Sequence, residues 1–247
     1  MRILSVSTAT NNLSVALNDD EKIIVEKQEV DQRNHSEHLD PLIQEILSEN
    51  NLKLKDIDRF AVAIGPGSYT GLRIGITTIK MFSSILNKEV VGVSTLKALA
   101  KSVTDSKALV IAGLDARNDN YFAGGYVIKD NNPENVIEDG HYHIDVLLDA
   151  AKKFIQNNND YNKVIFVGSG FDKQEDLIKD TALDYSFGTD EQNIIHAGLI
   201  GQLALNETPV DPDKLLPRYL RRTQAEVDWH KKTGKPFGSD SDYVEEV

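Results

Sequence analysis

Twice along this chain a run of three short strand-like segments precedes an alternation of helices and single strands, and that doubled order limits the available folds more than any other feature. The first run covers 2–7, 13–18 and 22–29, parted by Thr10-Asn11-Asn12 and Asp19-Asp20, whose turn chemistry predicts an antiparallel meander. An amphipathic helix follows over 36–49, with Leu39, Leu42, Ile43, Ile46 and Leu47 on one face and Pro41 tolerated in its first turn. A continuous apolar strand over 60–64, a glycine-rich turn, a helix over 69–86, a strand over 89–93 and a helix over 95–103 complete the first half. The second half predicts strands over 108–114, 121–128 and, weakly, 136–141, then a helix over 144–156, a strand over 164–167 and helices over 172–179 and 191–205.

An ordinary doubly wound sheet alternates strands and helices from its first element, so a three-strand opening in each half argues for something else. The order is that of the RNase H-like unit, duplicated in actin-like ATPases and sugar kinases: an α/β fold of two lobes, each a mixed sheet flanked by helices. The expected division is an N-terminal lobe over 1–104, a C-terminal lobe over 105–230 whose last helix packs back on the first lobe, and a disordered acidic tail over 231–247.

Without a cysteine, the chain has no disulfide, zinc ribbon, iron–sulfur cluster or thiol nucleophile. No stretch approaches the roughly 20 apolar residues that cross a bilayer, and residues 1–17 interleave Ser, Thr and Asn with their apolar positions, so a cytoplasmic location is expected. A formal net charge of −12 repels polyanions at long range. The dense basic cluster is Arg218, Arg221 and Arg222; if RNA is involved, another subunit is expected to hold it.

The most informative run is Gly65-Pro66-Gly67-Ser68-Tyr69-Thr70-Gly71-Leu72-Arg73-Ile74-Gly75. It joins a buried strand to a helix that Ser68 or Thr70 can cap, and its converging N–H groups suit an anion. A phosphate loop would place lysine and a hydroxyl residue after the last glycine, where Leu72 and Arg73 stand; the dinucleotide fingerprint fails at Thr70. An architectural turn is favoured over a nucleotide cradle. The helix beyond carries two apolar lines, Leu72, Ile76, Ile79 and Phe82, and Ile74, Met81 and Ile85, while Gly71 and Gly75 leave room for a backbone to approach. Burial inside its own lobe and burial against another subunit both account for two lines.

The run GPGSYTGLRIG resembles the signature of the TsaB (YeaZ) family, as do ILSVSTATNNLSVAL from Ile3 to Leu17, His35-Ser36-Glu37-His38-Leu39, Leu114-Asp115-Ala116-Arg117 and Pro217-Arg218-Tyr219-Leu220-Arg221. These pieces span residues 3 to 221, strongly in the N-terminal half and mainly in layout over 128–205. The resemblance implies a non-catalytic scaffold for forming N6-threonylcarbamoyladenosine in tRNA. Such a subunit pairs with the homologous transferase TsaD, cooperates with the ATPase TsaE, forms a homodimer in isolation and meets tRNA only through the complex. It also implies that the helices after the HSE and GPGS motifs make the homodimer or TsaD contact, through His35, Ser36, Leu39, Ile43, Tyr69, Gly71, Ile74, Gly75, Thr78, Met81 and Ile85.

An actin-like ATPase holds its metal and attacking water with an acid at the end of the first strand of each lobe. The matching positions here are Ser7, a hydroxyl where many members of the family carry aspartate, and Asp115, followed by Ala116-Arg117 instead of small glycines. Arg117 is expected to pair with Asp115 in a structural hairpin contact or to obstruct a phosphate. Gly168-Ser169-Gly170 falls where such folds contact adenine. Ser7, Asp115, Arg117, Gly168 and Gly170 therefore read as a degenerate nucleotide cleft, with no cofactor expected, and a small-molecule kinase or ATPase as the alternative. The pairs His35/His38 and His141/His143 lack the spacing of a helical zinc site, and Ser36, His38 and Asp40 lie too close in sequence to form a hydrolase relay.

Overall fold

The computed structural model describes residues 1–30, 35–221, 229 and 232. Strands β1 (Arg2–Ser7), β2 (Asn12–Asp19) and β3 (Lys22–Val30) form the first meander, followed by α1 (His35–Glu49), β4 (Arg59–Gly65), α2 (Tyr69–Leu86), β5 (Glu89–Ser94) and α3 (Thr95–Lys101). The second half contains β6 (Ala108–Asp115), β7 (Asn120–Lys129), β8 (Asn132–His143), α4 (Ile144–Asn157), β9 (Lys163–Gly168), α5 (Glu175–Asp180), β10 (Tyr185–Phe187) and α6 (Ala197–Ala204).

The two sheets share one plan. The first runs β3-β2-β1-β4-β5 and the second, from its own third strand, β8-β7-β6-β9-β10. In each, the first strand pairs antiparallel with the second and parallel with the fourth. The chain is thus a duplicated RNase H-like unit, two mixed five-stranded sheets flanked by helices.

Strand β6 shows how both faces of a sheet become core. Side chains alternate along a strand, so Leu109 and Ile111 face the α4 side while Val110 and Ala112 join the larger core shared with the first sheet. Helix α3 lies between the sheets, with Thr95, Leu96, Ala98, Leu99, Ala100 and even Lys101 buried. Helix α6 returns to the first sheet and packs on β1, β2 and β3. Ser5 Oγ donates to the Ala197 carbonyl at 2.6 Å and Asn18 Nδ2 to that of Gly198 at 3.0 Å, while Glu26 accepts from the backbone N–H groups of both Ala197 and Gly198 at 3.2 Å. A carboxylate there meets the positive end of the helix dipole.

Several expectations change. Strand β8 is a full 12-residue strand and not a weak one, because its long antiparallel pairing with β7 overrides the turn-like Asn-Pro-Glu-Asn start. The helix predicted over 191–205 begins only at Ala197; residues 189–193 form a turn in which Thr189 and Gln192 bond each other and Asn193 bonds Gly188. The helix expected over 172–179 is a 3-10 turn, Phe171–Gln174, leading into α5. The tail over 231–247, apart from Lys232, and Arg222 lie outside the described residues.

Candidate functional site

The glycine-rich turn is built by its own chain. Ser68 caps α2, its Oγ accepting from the Gly71 N–H at 3.2 Å, and Asn87 ends the helix in the left-handed region at φ 50°. Thr8, in the loop after β1, donates from Oγ1 to the Gly71 carbonyl at 2.6 Å. A Cβ on Gly71 would overlap the Thr8 carbonyl oxygen, and one on Gly75 the Thr8 hydroxyl. On the other side, the Arg218 N–H donates to the Ile64 carbonyl at 2.7 Å, and the Arg218 carbonyl occupies the space a side chain on Gly65 would need.

Between the two sheets lies a cleft of about 480 Å³ lined by Ala9, Thr10, Asn11, Gly67, Ser68, Ile74, Asp115, Phe122 and Ser169. The ends of β1 and β6 flank it, as the duplicated fold requires. Ser7, the last residue of β1, is wholly buried, with its Oγ accepting from the Ala9 N–H at 3.5 Å. Asp115 is engaged on both carboxylate oxygens, by the Arg117 N–H at 2.7 Å and by Lys173 Nζ at 3.0 Å. The Arg117 N–H, then Lys173, hold its carboxyl below the usual carboxylate range. The expected salt bridge to Arg117 is therefore corrected: the cation is Lys173, and Arg117 contributes its backbone from a left-handed residue at φ 70°.

Of the two glycines, Gly170 lies against Asp115 and Gly168 against Gly113. Gly170 sits at φ 85° with its open side against the Asp115 side chain, Ser169 Oγ accepts from the Asp115 N–H at 3.0 Å, and Gly168 sits at φ 111° under the Gly113 carbonyl. Positive φ at both positions is what glycine supplies here. The histidine pairs hold local contacts: His38 meets Glu29 at 2.7 Å and His143 meets Asp145 at 3.2 Å. Among the described residues, no group of three acidic or histidine side chains is placed to hold a metal ion.

The outer face of α2 differs from its inner one. Leu72, Ile76 and Ile79 are buried in the core, whereas Tyr69 is 46% exposed, Met81 45% and Ile85 73%. Ile74, Thr78, Met81 and Ile85 recur at intervals of four, three and four, so they form one line along the helix. Beside its first turns, a groove of about 420 Å³ separates α1 from α2, lined by Ser36, Asp40, Tyr69, Arg73, Ile74, Thr77 and Thr78. Tyr219 stacks on Tyr69 with centroids 5.0 Å apart, and the Arg73 guanidinium lies 4.3 Å over the Tyr69 ring.

A solved structure of YeaZ from Pseudomonas aeruginosa superposes with a TM-score of 0.72 at 24% identity, covering 89% of this chain and 99% of that one. The tRNA threonylcarbamoyladenosine biosynthesis protein TsaB of Bacillus subtilis is 29% identical over 93% of this chain and 98% of its own length. The Escherichia coli protein of the same name is 35% identical over 53% of this chain and 57% of its own length. A family model described as "TsaD: tRNA N6-adenosine threonylcarbamoyltransferase" matches residues 22–229. The chain belongs to the TsaB (YeaZ) family.

For a TsaB-family chain, the eleven residues expected at a partner contact differ in exposure. Ser36, Tyr69, Ile74, Thr78, Met81 and Ile85 reach the surface or the α1–α2 groove. The other five are turned inward, with Leu39 also lining that groove. Leu39 and Ile43 belong to the core. His35 is buried with Nε2 2.8 Å from the Thr10 carbonyl, and Gly71 and Gly75 are closed by Thr8. The space beside Gly71 is taken by the chain's own Thr8 backbone and that beside Gly75 by the Thr8 side chain. Tyr219, Arg73 and Lys173 join the site without having been candidates for it in the sequence. Tyr219 stood in the family-like run 217–221, but Lys173 lies 58 residues from Asp115 with no local signal.

Proposed function

We propose that this chain is a non-catalytic subunit in the formation of N6-threonylcarbamoyladenosine in tRNA, working in the cytoplasm. Its outer α2 face docks on a TsaD homologue, and a TsaE homologue cooperates with the pair. The observation that carries this reading is the line Ile74, Thr78, Met81 and Ile85, which leaves two large apolar side chains in water on a helix whose other face already fills a core. In isolation the same face is available to a second copy, giving a homodimer. Family membership supplies the reaction, since the relatives bear the name of this biosynthesis. No helix of the described residues is long and apolar enough to cross a membrane.

The non-catalytic part rests on the cleft. An actin-like phosphoryl transfer calls for two free acids facing metal and phosphate. Here one position is the buried hydroxyl of Ser7, and the other, Asp115, is already bonded to Lys173 and to the Arg117 N–H. Contact with tRNA is assigned to the partner because the chain's net charge is −12.

The deciding experiment mixes the purified chain with the TsaD homologue of the same organism and measures complex formation by calorimetry. Met81→Glu or Ile85→Glu abolishes it while the circular dichroism spectrum is retained; unchanged affinity in both variants defeats the reading. The alternative, a small-molecule kinase or ATPase, is favoured by the open cleft beside Asp115. ATP–magnesium binding that vanishes in Asp115→Asn would establish it.

A further inference from the structure

We propose that Arg218 is a positioning residue. It fixes the segment 215–221 as a strap that carries the arrangement of the second lobe to the first turn of the α2 partner face. The inference rests on the reading of α2 as that face.

The anchor at one end is Asp139 of β8, only 4% exposed. Its Oδ1 accepts from the Tyr126 hydroxyl at 2.5 Å and Asn135 Nδ2 at 3.2 Å; its Oδ2 accepts from Ser94 Oγ at 2.9 Å and Arg218 Nη1 at 2.8 Å. Ser94 ends the first sheet and caps α3, so one carboxylate ties together the second sheet, the first sheet and the strap. A buried carboxylate needs a counter-charge, and Arg218 is the cation on it among the described residues.

The anchor at the other end is the next residue. Tyr219 stacks on Tyr69, and its hydroxyl accepts from Arg73 Nε at 3.1 Å. The Arg218 side chain bonds Asp139 and the Tyr219 side chain meets Tyr69 and Arg73, so the backbone fixed between them has one hold on each lobe. Gly65 lets that backbone lie directly on the end of β4, and Leu215 anchors the strap's start in the core. Tyr69 and Arg73 are neighbours on one helical face, four residues apart. Ordering Tyr219 therefore orders the end of α2 nearest the groove, and Asp139 acts on that end without touching it.

The test uses the full chain with Arg218→Met, Arg218→Lys, Tyr219→Leu and the Met/Leu double variant. Hydrogen exchange over residues 66–73 of the isolated chain and affinity for the TsaD homologue are both measured. The expected result is faster exchange over 66–73 in Arg218→Met and an affinity about tenfold weaker, the size of a usual coupling. Tyr219→Leu matches it, the double variant is no worse than either single one, and Arg218→Lys restores most of the loss. Exchange unchanged in Arg218→Met, or single effects that multiply in the double variant, overturns the proposal. If Arg218→Met does not fold, Tyr219→Leu, which leaves the Asp139 ion pair in place, still decides through exchange over 66–73. Faster exchange together with an affinity that Ile85→Glu leaves intact keeps the strap and refutes the partner face instead.

Discussion

Thr8 closes over Gly71 twice, its hydroxyl donating to the Gly71 carbonyl at 2.6 Å and its own carbonyl filling the space where a side chain on Gly71 would begin. A methyl group there must push aside backbone, which has no rotamer to yield. Gly71→Ala is therefore expected to cost about 2–3 kcal/mol, the usual scale for overpacking. For a domain of this size that lowers the thermal midpoint by roughly 5–10 °C. Gly75→Ala meets the Thr8 side chain instead, which can rotate, so its cost is smaller. Differential scanning calorimetry of the two variants checks the order; equal midpoints would mean that the Thr8 loop moves freely.

Two isoleucines on one helix should behave oppositely. Ile76 is 3% exposed and belongs to the core, so Ile76→Glu buries an unpaired charge and leaves little folded protein. Ile85 stands in solvent, and Ile85→Glu should change stability by less than about 0.5 kcal/mol while removing partner binding. Denaturant titration beside a pull-down with the TsaD homologue separates the two outcomes.

A pH dependence centres on α6. His196, whose side chain is 13% exposed, is pushed up to about 8 from 6.5 by its hydrogen bond to Glu26, with burial opposing and the Glu191 carbonyl assisting. Burial alone would raise Glu26, but hydrogen bonds from His196, Gln28 and Ser14 outweigh it and hold it below 4.5. Since the folded His196 binds its proton more tightly than the unfolded one, its contribution is complete below pH 6.5 and is lost as pH rises through about 8. The loss is about 2 kcal/mol. Glu26 contributes in the other sense, above 4.5 and lost in acid. Urea unfolding at pH 6 and pH 9 should show the alkaline loss in the unmodified chain and a flatter profile in His196→Gln; parallel profiles would dismiss it.

Asp115→Asn removes the ion pair with the exposed Lys173 but keeps an acceptor for the Arg117 N–H. The expected stability change is within about 1 kcal/mol. Threonylcarbamoylation of tRNA by the reconstituted complex should proceed at an unchanged rate. A rate falling by orders of magnitude with stability intact would return this carboxylate to a catalytic role.

How much of this was legible in the sequence follows the reach of each signal. The bounds of α2 coincide with the expectation because both ends are marked locally, by Ser68 and by Asn87. The meanders were readable from alternation and turn residues alone. The inward fate of Gly71 and Gly75 was not, since two glycines four apart announce a close approach without saying which atoms make it. Thr8 lies 63 residues from Gly71, and Asp139 is 79 from Arg218. Such contacts exist only after the sheets have formed. Strand β8 misled in the other direction: Asn132 and Pro133 look like a turn, and it is pairing with Lys129 and Ile128 that makes them strand.

Helix α6 leaves a mark on how this molecule is made. The wall it gives β1, β2 and β3 is encoded beyond nearly all of the second lobe, so the nascent N-terminal sheet leaves the ribosome with Ser5, Asn18 and Glu26 still lacking their late partners. Until residue 204 has cleared the exit tunnel, the back of that sheet lacks the cover that α6 gives it.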